Sequence, residues 1–381
     1  MKARTFGGLL VTTTVSVVLA AVIAGVAASH SVSATGQIAA PHASCDTWDP
    51  AWSPDGSRIA FGVSEGQIES VEPTRTTLHV LTKPQTGTPP ELPELDAHDL
   101  TPSWAPDSRR LAFVRDSPYY NGNRTWEDYS VNVLDTTSGV IAPIAAGADP
   151  TWSRTGVLAY DIFDDPYFDP AGFVAGSRTF TGEIAGPSWS PDGHHLAYEG
   201  DGVFVVDRNG AHRRRVASGG SPQWSPDGRW IAYRAPSGNR INLVSPDGKR
   251  HRRLVRVGDD VTDAPIVWSP SGARIAVGTT IVTLATGKVR KLNIDLTYWY
   301  AYGDYTGPSW SPDGHWLVYA RDGLEIVRPD GSGFHAITPC AITPSTPQGP
   351  SYPRLVNLRV LVARARVREE VRRVPPPPRT D

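Results

Sequence analysis

The chain has 381 residues and a formal net charge of −2, so no bulk positive field argues for nucleic acid as its partner. Gly (36) and Pro (35) together approach a fifth of the sequence, and Trp is frequent at 12. That is a composition of short strands and regular turns; it argues against long helices and against disorder.

The first element is a targeting segment. Met1-Lys2-Ala3-Arg4 is positive, and residues 7–28 (GGLLVTTTVSVVLAAVIAGVAA) carry no charge. Small residues follow at Val26-Ala27-Ala28 and Val32-Ser33-Ala34, as at a signal-peptide cleavage site. Residues 1–34 therefore read as a secretory signal, with an uncleaved N-terminal anchor as the alternative, since the run is long enough to span a bilayer. Either reading places the rest outside the cytoplasm, secreted or in the cell envelope, with membrane contact only through an uncleaved anchor. Cys45 and Cys340 are the two cysteines, and an even pair in an exported chain suggests a disulfide.

From residue 45 to residue 340 the sequence repeats itself. Trp52, Trp104, Trp152, Trp189, Trp224, Trp268 and Trp310 stand 35–52 residues apart, a period that marks a solenoid or a propeller. Pro lies two positions before the Trp in six of the seven copies, and Ser-Pro-Asp-Gly usually follows it, as in GPSWSPDGHHLAY (186–198). Ser, Pro, Asp and Gly in that order suit the four positions of a tight turn, and the flanking apolar alternation makes it a hairpin. A second hairpin follows in most copies, for example VFVVDRNGAHRRRVA (203–217) and LEIVRPDGSGFHAIT (324–338). Two hairpins per repeat predict an all-β, seven-bladed β-propeller of four-stranded antiparallel blades. Trp-Ser-Arg-Thr-Gly at 152–156 has lost the Pro-Asp pair, so six blades plus a degenerate unit is the alternative.

The phrase Pro-x-Trp-Ser-Pro-Asp-Gly-x-x-Ile-Ala-Phe resembles the repeat of TolB-type, WD-like bacterial propellers, over about residues 45–340. The α/β domain that precedes the propeller in TolB itself has no counterpart here. The resemblance implies the fold; it leaves the function open, because such folds host many activities.

His-Glu-x-x-His, a phosphate loop and Cys-x-x-Cys are absent from the sequence, and Gly-x-Ser-x-Gly occurs once, as Gly62-Val63-Ser64-Glu65-Gly66. His194, His195 and His315 follow Asp-Gly of the turns and read as solvated turn residues. The arginine runs at 212–216 and 249–255 fall on last strands, where charge protects an edge. Asp161, Asp164, Asp165 and Asp169 crowd into DIFDDPYFDP (161–170) and read either as a solvated acidic loop or as oxygen ligands for calcium, the one ion in view. No other cofactor is implied.

Three long connections hold the surplus aromatics: Tyr119, Tyr120, Trp126 and Tyr129 in the first, Phe163 and Tyr167 in the second, and Tyr298, Trp299, Tyr300, Tyr302 and Tyr305 in the third. All three follow second strands or join blades, so they are expected on one face. They either bind sugar rings or peptide side chains, or pack on one another as caps. Residues 341–381 differ again, with eight Arg, three acids and the run Pro375–Pro378, and read as a disordered basic tail. The sequence as a whole suggests an exported, monomeric, non-catalytic module that binds an envelope protein or glycan. The alternative is a lyase or hydrolase acting on a saccharide at the channel mouth.

Overall fold

The Ser-Pro-Asp-Gly phrase closes the first-to-second hairpin after four of the seven tryptophans, and at Ser245–Gly248 it closes the third-to-fourth hairpin of blade five with the same bonds. At Ser190 the hydroxyl donates to Asp192 Oδ1 at 2.5 Å and accepts the His195 N–H at 2.9 Å, while Asp192 Oδ1 accepts the His194 N–H at 3.0 Å. The Gly193 N–H returns to the Ser190 carbonyl at 2.9 Å, with Gly193 at φ +70°. Ser53, Ser225 and Ser311 repeat this network with Asp55, Asp227 and Asp313. The degenerate copies substitute for it. Thr155 takes the place of the aspartate beside Ser153 at 2.9 Å, and Ser108 occupies the glycine position with φ +54°.

The computed structural model describes residues 47–338, except 75–76, 85–96, 118, 121–124, 127, 164–169, 259–263, 295–306 and 322. These residues form seven four-stranded antiparallel sheets, each a meander. Blade four shows the pattern, with strands Ala185–Trp189, His195–Glu199, Val203–Asp207 and Arg214–Ala217 in that spatial order. The protein is a seven-bladed β-propeller. Blade three is a full blade, which rules out the alternative of six blades plus a degenerate unit. Its outer strands are Pro170–Ala175 and Arg178–Thr181, joined at Gly176 with φ +62° in a turn that uses neither Pro nor Asp.

The core lies between blades. Each Trp-bearing first strand pairs with an aliphatic residue of the second strand, for example Trp189 with Leu196 and Trp310 with Leu317. The indoles then bolt neighbouring blades together. Trp104, Trp152, Trp268 and Trp310 donate Nε1–H to the carbonyls of Ala51, Ser103, Gln223 and Val267, each just before the Trp of the preceding blade. Blades one and seven complete their own sheets, so no strand is exchanged to close the ring. Closure rests on one apolar cluster in which Ile59, Phe61 and Val71 meet Val318, Leu324 and Ile326. The Trp52 N–H adds a hydrogen bond to Ser309 Oγ at 3.1 Å. Cys45 and Cys340 lie outside the described residues.

The turn glycines carry a testable cost. Gly228 sits at φ +71°, and a Cβ there would stand 3.2 Å from Pro191 Cγ of the preceding blade. Gly228→Val is expected to destabilise by about 1–2 kcal/mol through the left-handed backbone. Urea unfolding checks it; an unchanged midpoint would mean that the turn has another low-energy form.

Candidate functional site

A meander of four strands sends its first-to-second and third-to-fourth turns to one face of the ring. The second-to-third links and the blade connections leave from the other, here called the connection face. Blade two carries an addition on that side. Between its second strand (Arg110–Asp116) and third strand (Tyr129–Asp135), a two-stranded ribbon pairs Tyr119 with Trp126 and Tyr120 with Thr125. The link after Phe163 in blade three and the link after Ile294 into blade seven depart from the same face. Tyr167, Tyr298, Trp299, Tyr300, Tyr302 and Tyr305 lie outside the described residues, as do Asp164, Asp165 and Asp169.

Two of the aromatic candidates serve packing. Tyr129 is buried, in one cluster with Trp48, Leu100, Val114 and Ala148, and Phe163 packs against that cluster. They weld blades one, two and three at their connection ends. Gly62 belongs to this weld, since a Cβ there would run into the Trp48 indole. Asp161, one of the four calcium candidates, is also buried, and both its carboxylate oxygens accept the Gly186 N–H at 3.0 Å. This binds blade three to blade four.

The Asp161 contact is one of a series that the sequence reading missed. The first strands of blades one to five bulge three residues before the Trp, where Asp49, Thr101, Asp149, Gly186 and Ser221 have φ of 48–63°. Acids from the preceding blade hold two of these bulges: Asp161 at Gly186, and Glu199, whose Oε2 accepts the Ser221 N–H at 2.8 Å. At the corresponding place in blade five, Arg234 reaches the Ala264 carbonyl of blade six and donates to the Gly238 carbonyl at 2.9 Å. In blade two, Arg115 grips fully buried Asp99 with two hydrogen bonds of 2.7 and 2.8 Å. The signal was present in the residue before Pro-x-Trp, which is Asp or Gly in most copies, types that tolerate the left-handed region, with β-branched Thr101 held there against its preference.

On the turn face, a cleft of 710 Å³ opens at the seam of blades seven and one, bounded by Trp52, Trp316, Pro73 and Pro312. His194 and His315 are exposed at turn tips, and among the described residues no group of three or more His, Cys, Asp or Glu is placed to hold a metal. The arginine runs do lie on outermost strands, Arg214–Ala217 and His251–Arg256. Blade two differs. Its outermost strand, Ile141–Ala146, has no charge and leaves Ile144 exposed, with Pro143 and a bulge blunting the edge.

The turn carboxylates are ordered by their hydrogen bonds. The Ser311 hydroxyl, then the His315 N–H, lower Asp313 from 3.8 to about 2. At Asp192 and Asp227, partial burial raises the value, and the bonds from serine hydroxyl and backbone together outweigh it, for a net lowering. A carboxylate held below its unfolded value adds stability above that value and loses it as pH falls through the folded one. The thermal midpoint is therefore expected to fall steeply between about pH 4 and about pH 2. Asp313→Asn should lower the midpoint at neutral pH and shrink the acid drop; an acid drop of unchanged size would assign it to other groups.

No protein-family model matches the chain, and no curated protein does. Among solved structures, the fold is similar to a chain in the "Crystal Structure of Mitotic Checkpoint Complex", with TM-score 0.52 and 16% identity, covering 86% of this chain and 99% of that one. A second similarity is to the Cps50 (Swd1) β-propeller domain of Myceliophteria thermophila, with TM-score 0.49 and 14% identity, covering 74% and 95%. At these identities the likeness is one of fold.

Proposed function

We propose that this chain is an exported, non-catalytic propeller of the TolB-like kind, and that it binds a protein or glycan of the cell envelope through its connection face. The observation that carries this reading is the ribbon 119–126 inserted into blade two on that face. A ring that needed only to fold would join those two strands with a short turn, as it does in the other blades whose link is described. The charged groups at the connection ends of the blades favour binding over catalysis. Asp99, Arg115, Asp161, Glu199 and Arg234 each hold backbone or one another, whereas general acid–base chemistry needs groups placed to move a proton on a substrate. Propeller architecture also serves in protein assemblies, since the similar chain of TM-score 0.52 comes from a mitotic checkpoint complex.

The test pairs binding with stability. Trp126→Ala and Trp299→Ala are expected to weaken capture of an envelope ligand by about tenfold or more, the scale of an aromatic hot spot, with the thermal midpoint preserved. A large loss of midpoint with unchanged capture would show these residues to be packing groups like Tyr129.

A further inference from the structure

The seam cleft lies on the face opposite the proposed binding face, and its chemistry is distinct. Its walls are the half-buried indoles of Trp52 and Trp316 with the rings of Pro73 and Pro312. Its rim carries Asp55, Glu72 and Asp313 against Arg58, and Arg328 stacks over the Trp316 ring at 4.8 Å. We propose that this cleft is a docking groove for an extended, arginine-flanked polyproline peptide, and that the chain's own residues 372–379, RRVPPPPR, are its occupant.

Three features carry the proposal. Flat Trp and Pro surfaces suit a polyproline II helix, which is already extended before it binds and loses little entropy on docking. The four prolines offer no N–H, so an apolar groove leaves no donor stranded. The acidic rim complements Arg372, Arg373 and Arg379. Geometry allows the contact within one chain. Thirty-three residues, 339–371, separate the last described residue, Thr338, from Arg372. They reach up to about 110 Å when extended, against about 50 Å across a domain of this size. Tethering supplies an effective concentration on the order of millimolar, enough to fill a groove whose affinity for the free peptide is weak.

Limited trypsin digestion of the intact chain reads docking at the bonds after Arg373 and Arg379. Cleavage there is expected to be about fivefold slower in the native chain than in Glu72→Gln/Asp313→Asn or in Trp316→Ala, as docked segments resist proteolysis by their bound fraction. Synthetic RRVPPPPR in excess should speed cleavage of the native chain and leave the variants unaffected. Because Trp316 packs against the core of the seam and Asp313 wires its turn, the single charge variant Glu72→Gln, expected to speed cleavage in the same direction, keeps the test valid if the others lose stability. Equal cleavage rates in native and charge-variant chains would overturn the docking. Protection that rises with protein concentration from about 1 to about 50 µM would overturn the intrachain assignment and place a second copy's segment in the groove.

Discussion

Trp104→Ala is expected to cost about 3–5 kcal/mol, the range for removing a large buried aromatic. The indole is 8% exposed and packs with Ala60, Ile68, Leu111, Phe113 and Leu134 between blades one and two. Its Nε1–H also satisfies the Ala51 carbonyl at 3.1 Å. Alanine would leave a cavity at a blade interface and an acceptor without its donor. A domain with a typical stability of about 5–15 kcal/mol loses a large share of it from such a change. Urea unfolding followed by circular dichroism measures the loss. A cost under about 1 kcal/mol would show that the interface closes around the gap, contrary to the role of the repeated Trp as a bolt.

Asp99→Ala is expected to cost about 3 kcal/mol or more, because it strips the anion from an arginine that remains largely buried. Asp99 is fully buried, and Arg115 holds it through both Nε and Nη2. The pair stands at the connection end of blade two, where the second strand ends at Asp116 and the ribbon starts at Tyr119. Replacing both partners with Leu and Met should recover most of the loss, since the penalty belongs to the stranded charge. A double variant as unstable as the single one would show that the geometry of the pair, beyond its charge, holds the blade.

The repeat was legible because each of its letters has a local physical job. Ser and Asp wire the turn and Gly supplies its left-handed residue, all within a few residues of their place in the sequence; Trp was legible through its regular recurrence, although its partners lie in the preceding blade. Blade three escaped full description for the same reason, since Thr155 and Gly176 do the work with different letters. What the sequence concealed is contact between blades. Nothing near Asp161 in the chain announces Gly186, 25 residues on, as its partner. The carboxylate therefore read as part of a solvated acidic loop, with calcium ligation as the alternative. Tyr129 and Phe163 looked like loop aromatics because the cluster they join is assembled from three blades, with Trp48 from blade one, Leu100 from blade two and Ala148 from blade three. The seam cleft forms only where the last repeat meets the first, a junction that no local pattern describes.

The connection face is the proposed binding face. Quantitative capture of envelope components and glycans by four forms of the chain tests that assignment most directly: native, Trp126→Ala, Trp299→Ala and the turn-face variant Gly228→Val, each compared at equal folded fraction. The expected result is a ligand that the native and Gly228→Val forms retain equally and that both tryptophan variants lose by about tenfold or more. A ligand lost with Gly228→Val and retained by both tryptophan variants would contradict the assignment and move the binding site to the turn face.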